Sequence, residues 1–348
     1  MEEGRDRSAH YTAVTAMNPI SRWILVGVLS GVVSLASAAS PVRGGTVAGE
    51  YPNRPIRLLL PFPPGAATDA VVRIMVPRLS EVVGQQWVVD NRSGAGGNIA
   101  GDLVAKAAPD GYTLLLGFST FMTVNSSLYA NMPFDPLKDL APITQTATSQ
   151  YKLMMHSSVP AKTVKELVAY AKANPGKLNY ASAGVASPLH LAAELFKSRA
   201  GVDIVHVPFK GGGPAAAALL SGEAQLSFSN VSSSLDHIRS GRLRAVAVTG
   251  LTRSALAPEL PTLHESGYPG YSVTSWHSLL TTAGTPQPII RRLHDAAVQV
   301  IRIPEVAKLI NNAGYEPTGT SPQELLDLMR TETKTWAKLV KDANIRPD

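Results

Sequence analysis

Pro61-Phe62-Pro63-Pro64-Gly65-Ala66-Ala67-Thr68-Asp69 and Ala181-Ser182-Ala183-Gly184-Val185-Ala186-Ser187-Pro188 are the two stretches on which the fold turns. Each follows a run that reads as a strand, and each opens a run that reads as a helix. The first N–H groups of a helix have no partner within it and lie at the positive end of its dipole, so such a mouth attracts a carboxylate or phosphate. Two mouths about 120 positions apart point to two domains closing on one small anion. That is the geometry of a receptor more than of an enzyme.

Around these loops the chain alternates strand and helix. Ile56–Pro61, Gln86–Asp90 and Tyr112–Phe118 read as strands. Ala66–Val83 carries an apolar stripe at helical spacing, Val71, Ile74, Met75, Leu79 and Val82. Pro77 lies within that helix and is expected to kink or split it. A second series begins with a strand at Tyr151–His156, followed by strands at Leu178–Ser182, Asp203–Val207, Gln225–Ser229 and Arg242–Thr249. Thr163/Glu166, Thr262/Glu265 and Ser321/Glu324 have the spacing of capping boxes. Ser187 is an N-cap with Pro188 at the first helical position. A strand at Val273–Thr281, a helix at Pro286–Ile301 and a long C-terminal helix to about Lys341 complete the pattern. The expected fold is α/β: a two-domain, periplasmic-binding-protein-like (type II) flytrap with two crossing hinge strands. Pro142–Gln150 and Ala247–Arg253 are the expected crossings. Residues 47–148 plus 247–348 would then form one discontinuous domain and residues 149–246 the other.

The chain has 348 residues, 45% hydrophobic and 17% charged, which suits two folded domains. Arg22, the 13-residue apolar run Trp23 to Leu35 and Ala36-Ser37-Ala38 have the parts of a secretory signal. Residues 1–38 are therefore set aside as a signal peptide removed near Ala38, with an uncleaved anchor as the alternative. Met17 is an alternative start that would shorten it. The absence of cysteine excludes a lipoprotein anchor, disulfides, thiol nucleophiles and Cys-ligated metals. The leader holds three basic and three acidic residues, so the mature chain keeps the net charge of +6. A moderately basic exported protein suits an anionic ligand. There is no Lys/Arg block of five or more and no aromatic–basic interleaving, so nucleic acid is not expected.

The order of motifs resembles the substrate-binding receptors of tripartite tricarboxylate transporters, the Bug receptor family. The resemblance rests on Tyr51–Ile56, the Pro61–Asp69 loop, Asn91–Asn98, Ala108–Leu115, Asn179–Leu191, His206–Gly212, His237–Thr249 and Ala283–Pro286, which together span nearly all of residues 51–348. It implies two hinged α/β domains in a soluble periplasmic receptor without catalysis or cofactor. It also implies a carboxylate ligand held by backbone N–H groups, hydroxyls and waters, with integral membrane permease subunits as partners. A monomer is expected. The chain departs from the family's usual pattern at Ala66, where a second glycine is common, and at Phe209, where tyrosine is common. Val185 and Ala186 replace residues that are often polar, and Pro77 is unusual in the first helix. These changes favour an aromatic or branched carboxylate over a highly hydroxylated one.

The expected ligand-binding residues come from three loops. In the first, Gly65 and Ala66 would offer N–H groups, Phe62 a wall, and Thr68 and Asp69 polar atoms; capping or organising the loop is the plainer role for Thr68 and Asp69. In the second, Ser182, Gly184, Ser187 and His190 are the candidates, with Ser187 also an N-cap and His190 also a structural hydrogen-bonder. The third is formed by Phe209, Lys210, Gly211 and Gly212; Lys210 could bring a positive charge to the cleft, though a lysine is most often solvated. Asn230 and Trp276 are further cleft candidates, and Ser119, Thr120 and Asn125 could contact ligand or end a strand. The glycines at 94, 96, 97 and 101 imitate a dinucleotide loop but put Ile99 at the third G-x-G-x-x-G position. A serine hydrolase using Ser187 or Ser182 is the enzyme alternative, weakened by the lack of G-x-S-x-G and by Pro188 after Ser187. A sensor for a signalling partner would share the pocket and differ in its docking surface.

Overall fold

A computed structural model describes residues 51–129 and 131–346. The leader expected at 1–38 lies outside them. The strands are β1 Ile56–Leu60, β2 Trp87–Asn91, β3 Thr113–Phe118, β4 Leu140–His156, β5 Asn179–Ser182, β6 Val205–Pro208, β7 Leu226–Asn230, β8 Leu243–Val248, β9 Thr274–Thr282 and β10 Glu316–Pro317. The helices are α1 Ala67–Val83, α2 Asn98–Ala105, α3 Ser119–Thr123, α4 Asn125–Leu128, α5 Val164–Ala173, α6 Pro188–Ala200, α7 Gly212–Ser221, α8 Leu235–Arg239, α9 Gln287–Ile301, α10 Pro304–Asn312 and α11 Pro322–Asp342.

Two sheets share β4. Its first part, Leu140 to Gln150, pairs with β9 in the order β2-β1-β3-β9-β4; its second part pairs with β7 and β8 in a sheet that continues through β5 to β6. Pairing among β1, β2 and β3, and of β5 with β6 and β7, is parallel. The strand expected to begin at Tyr151 is thus the far end of one 17-residue strand. The expected crossing at Pro142–Gln150 is its near end, kept in strand form by its ladder to β9.

Period-2 alternation fills both faces of the first sheet. Leu58, Leu60, Leu114 and Leu116 pack against α1, α9 and α10, while Leu59, Leu115 and Leu280 pack against α2, α3 and α11. In the second sheet Leu153, Met155, Tyr180, Leu226 and Phe228 face α5 and α6, and Met154 meets Leu219 of α7 on the other side. Helix α11 serves both cores. Leu325 and Met329 lie under the first sheet, whereas Trp336, Leu339 and Val340 join the cluster of the second.

Some local expectations change. Helix α1 runs unbroken through Pro77. Pro77 and Arg73, whose carbonyl loses its donor, are both exposed, so water can serve that carbonyl, while buried Val71, Met75 and Leu79 hold the helix to the sheet. The Ser321/Glu324 capping box is complete. At Thr163 only the hydroxyl half forms: the Glu166 carboxylate accepts from Lys162 N instead of Thr163 N. Thr262 and Glu265 bond reciprocally, but around a turn, not a helix. In α2 a Cβ on Gly101 would lie 2.2 Å from the Phe134 ring and 2.6 Å from that of Phe121, so this glycine serves helix packing, not a phosphate.

Beside Gln150 and Tyr151 of β4 runs the segment that leaves β8. Tyr151 N donates to the Thr249 hydroxyl over 2.9 Å, Gly250 N to Gln150 Oε1 over 2.9 Å, and Gln150 Nε2 to the Thr252 carbonyl over 3.0 Å. The two chains that cross between the sheets are therefore bonded to each other.

Candidate functional site

The first loop is organised by Asp69. Its buried carboxylate accepts from Gly65 N at 3.0 Å, Arg73 Nε at 2.8 Å and Asn91 Nδ2 at 3.1 Å, and the same Asn91 amide donates to the Phe62 carbonyl. The Arg73 hydrogen bond leads in holding this carboxyl down at about 2, against burial and with help from Gly65 and Asn91. Ala66 N donates to Pro63 O at 3.3 Å. The N–H groups of Gly65 and Ala66, expected to face a ligand, are thus spent inside the loop, because a carboxylate in the first turn of α1 is a stronger acceptor at that dipole than a transient anion. Phe62 stands half-exposed against Phe118, ring centroids 4.7 Å apart, as a wall. Thr68 is buried and points inward, its hydroxyl 3.1 Å from Nε2 of His277. Burial holds His277 down at about 4, and its Nδ1 has no partner among the described residues.

The second loop is closed in the same way. Ser182 is fully buried; its hydroxyl lies 2.7 Å from Nε2 of His206 and accepts from Gly184 N at 3.2 Å. Ser187 caps α6 by accepting from His190 N, and His190 Nδ1 accepts from Ala186 N at 2.9 Å. His190 is therefore the structural hydrogen-bonder. Its ring stacks on His206 at 4.1 Å, and His206 stacks on Tyr180 at 4.7 Å. Burial, then the neighbouring His190, keep His206 neutral down to about pH 4. Ser182 and His206 have the spacing of a nucleophile and its base, yet Ser182 has no exposed surface. This is a packed polar network. Sequence reasoning missed it, although the β5–β6 register sets Tyr180 directly opposite His206.

Trp276 is fully buried and not in a cleft: its Nε1 donates to Glu332 of α11 at 3.0 Å. The alternation along β9 turns it toward the α11 face of the sheet, where it joins Leu280 in the core.

Of the several hollows among the described residues, one in the second lobe meets a helix N-terminus with unpartnered N–H groups; larger ones lie beside α2 and between α6 and α11. A cavity of about 250 Å³ is bounded by Leu189 of α6 and by Gly212, Ala215 and Ala216 of α7. Ser227 to Asn230 of β7, with Ser233 and Ser234 beyond it, form its other side. The parallel strands β5 and β6 and helix α7 make this the C-terminal edge of a βα unit, the usual place for a ligand in such sheets. Gly211, the N-cap of α7, offers no side chain to its free N–H groups. Pro214 has no N–H, and those of Gly212 and Gly213 have no partner among the described residues. An anion can take them. Of the residues expected in the three loops and the cleft, Gly212 and Asn230 line this cavity. Gly211 adjoins it, Phe209 is half-buried against Ala181 and Ala215, and Lys210 is exposed. A gap lined by Ser119 and Thr120 on one side and Pro188 and Leu191 of α6 on the other is about 10 Å³ and too small for an organic ligand. Among the described residues no group of three His, Asp or Glu side chains could hold a metal ion.

Comparisons with known proteins agree with the fold. The family model described as tripartite tricarboxylate transporter family receptor matches residues 71–345. The protein BugT of Bordetella pertussis is 35% identical, over 92% of this chain and 98% of its own. The structure of R. palustris Rpa4515 with adipate is 36% identical, covering 86% of this chain and all of that one, with a TM-score of 0.68. That of MatC from Rhodopseudomonas palustris with bound malate is 29% identical over 83% of this chain and all of that one, with a TM-score of 0.64.

Proposed function

The chain belongs to the tripartite tricarboxylate transporter receptor family, and we propose on that premise that it captures a small carboxylate in the periplasm and hands it to a tripartite membrane transporter. The observation that carries this reading is the cavity at the start of α7, where Gly212, whose N–H has no partner among the described residues, stands across from Ser227, Ser229, Ser233, Ser234 and Asn230. One carboxylate end would lie on Gly212 N and Gly213 N. Ser229 and Asn230 would fix its orientation. Leu189, Ala215 and Ala216 give the rest of the ligand an apolar surface, which supports a dicarboxylate or aromatic acid with an apolar body over a polyhydroxylated one. Adipate in the Rpa4515 structure is consistent with this class, whereas malate in that of MatC shares the two carboxylates but carries a hydroxyl on a short body.

Residues 47–148 plus 247–348 and residues 149–246 would move as two domains about the paired segments at Gln150–Tyr151 and Thr249–Gly250. Phe62 of the first would then close over a ligand seated in the second. A ligand shifts the open–closed balance only by contacts it makes better in the closed form. Export with removal of a leader and docking on permease subunits complete the proposal.

Mass spectrometry of small molecules released by denaturing freshly purified protein tests it. A carboxylic acid is expected; a nucleotide would overturn the reading. Thermal-shift screening then ranks the acids, and stabilisation by citrate-like acids alone would rule out the apolar-bodied class.

A further inference from the structure

We infer that Lys152 is the specificity-determining cation of the second-lobe cavity: it fastens the loop that forms one side of it and supplies the positive charge that an anionic ligand answers. The inference rests on the cavity being the carboxylate site.

Lys152 is 1% exposed and, among the described residues, the one buried lysine or arginine. A long cationic side chain is rarely buried without an acidic partner. Here Nζ donates to the Val231 carbonyl at 2.9 Å and to the Ser233 carbonyl, and forms no ion pair with a described residue. Its neighbours along β4 are Tyr151, Leu153, Met154 and Met155, so an apolar residue would suit the position.

The register places the ammonium beside the cavity. Lys152 lies directly opposite Ser229 in the β4–β7 ladder, so both side chains stand on the same side of the sheet. Met154 and Ser227, the next pair on that side, face α7 through Leu219. Ser227, Ser229 and Ser233 all line the cavity, and Ser233 carries one of the two carbonyls that Lys152 holds. The charge therefore sits behind the cavity's polar wall.

Few other charges face it. Strand β7 and helix α7 carry no titratable side chain. On β8, Arg244 lies opposite Met155 and donates to the Ala161 carbonyl. His156, four residues along β4, bonds Ser158. On the short helix α8, Asp236 and Arg239 are exposed and ion-paired to each other, and His237 is half-exposed. Burial lowers the Lys152 ammonium to about 8, opposed by exposed Glu259 acting through space. An anion bound nearby favours the charged form. By linkage, the anion binds better while Lys152 is protonated, and its affinity falls as pH rises above about 8.

Adipate is the probe, with calorimetric titrations between pH 6.5 and 9.5. The wild type should lose about tenfold in affinity across this range, corresponding to about one unit of upward shift in Lys152 on binding. Direct NMR titration of the Lys152 ammonium should show that rise when adipate is added. Lys152→Met should bind adipate about tenfold more weakly at pH 7, with a flat pH profile. A loop-fastening role alone would lower thermal stability but leave the pH profile and the titration midpoint unmoved. An unchanged midpoint in the wild type, or a Lys152→Met profile that still falls above pH 8, overturns the inference. Failure of the wild type to bind adipate, malate or any released carboxylate would instead overturn the carboxylate reading itself, and the inference with it.

Discussion

The indole Nε1 of Trp276 donates to Oε2 of Glu332 over 3.0 Å, joining the central strand β9 to the C-terminal helix inside the core of the first sheet. The Thr123 hydroxyl reaches the same oxygen at 3.4 Å. Both partners are neutral, so among the described residues no cation compensates a negative charge there.

Burial accordingly pushes the Glu332 carboxyl up to about 7. A carboxyl whose folded pKa exceeds its unfolded one binds its proton more tightly when folded. Its contribution to stability is present below the ordinary glutamate range and is lost as pH rises toward 7. Glu332→Gln should flatten that slope and leave the protein as stable as wild type or more so at pH 8, by roughly 1–2 kcal/mol. Urea denaturation at several pH values reads this; a larger loss at pH 8 than at pH 5 would contradict it.

Asp69 has the opposite sign. Held at about 2 chiefly by Arg73, it stabilises the fold above the ordinary aspartate range, and that contribution disappears as pH falls from about 4 toward 2. Asp69→Asn should cost about 2 kcal/mol at pH 7, the range for hydrogen bonds to a charged group. The variant should show a shallower acid limb in fluorescence-monitored unfolding.

Gly101→Ala should lower stability by about 2 kcal/mol, because its Cβ would enter the Phe121 and Phe134 rings, which are themselves edge-to-face. Calorimetric melting measures this. A neutral result would mean that the two rings can move apart.

Much of the α/β framework was legible because each strand and helix announces its period: Leu58, Leu59 and Leu60 alternate between two helical layers, and Val71, Met75 and Leu79 repeat at one turn. What the sequence hid was where polar groups spend their hydrogen bonds. Gly65 N and Gly184 N looked free because a loop's amides have no local partner in a linear reading. Asp69 and Ser182 supply that partner once the loop folds back. Trp276 looked available because an aromatic residue at a strand's start has two faces to choose from, and Glu332, 56 residues away, fixes the choice. The place of Asn230 at a cavity was legible because it ends a strand. Lys152 was not, since a lone lysine in a strand gives no sign of being buried.

Because α11 is rooted under one sheet by Leu325 and Met329 and under the other by Trp336 and Leu339, the last helix is a brace as well as a terminus. Any swing of one lobe against the other must bend this brace or slide along it, so the chain's final twenty-odd residues share in setting how far the jaws can part. Trimming them away would strip buried apolar cover from both sheets at once, so the two lobes would lose stability together.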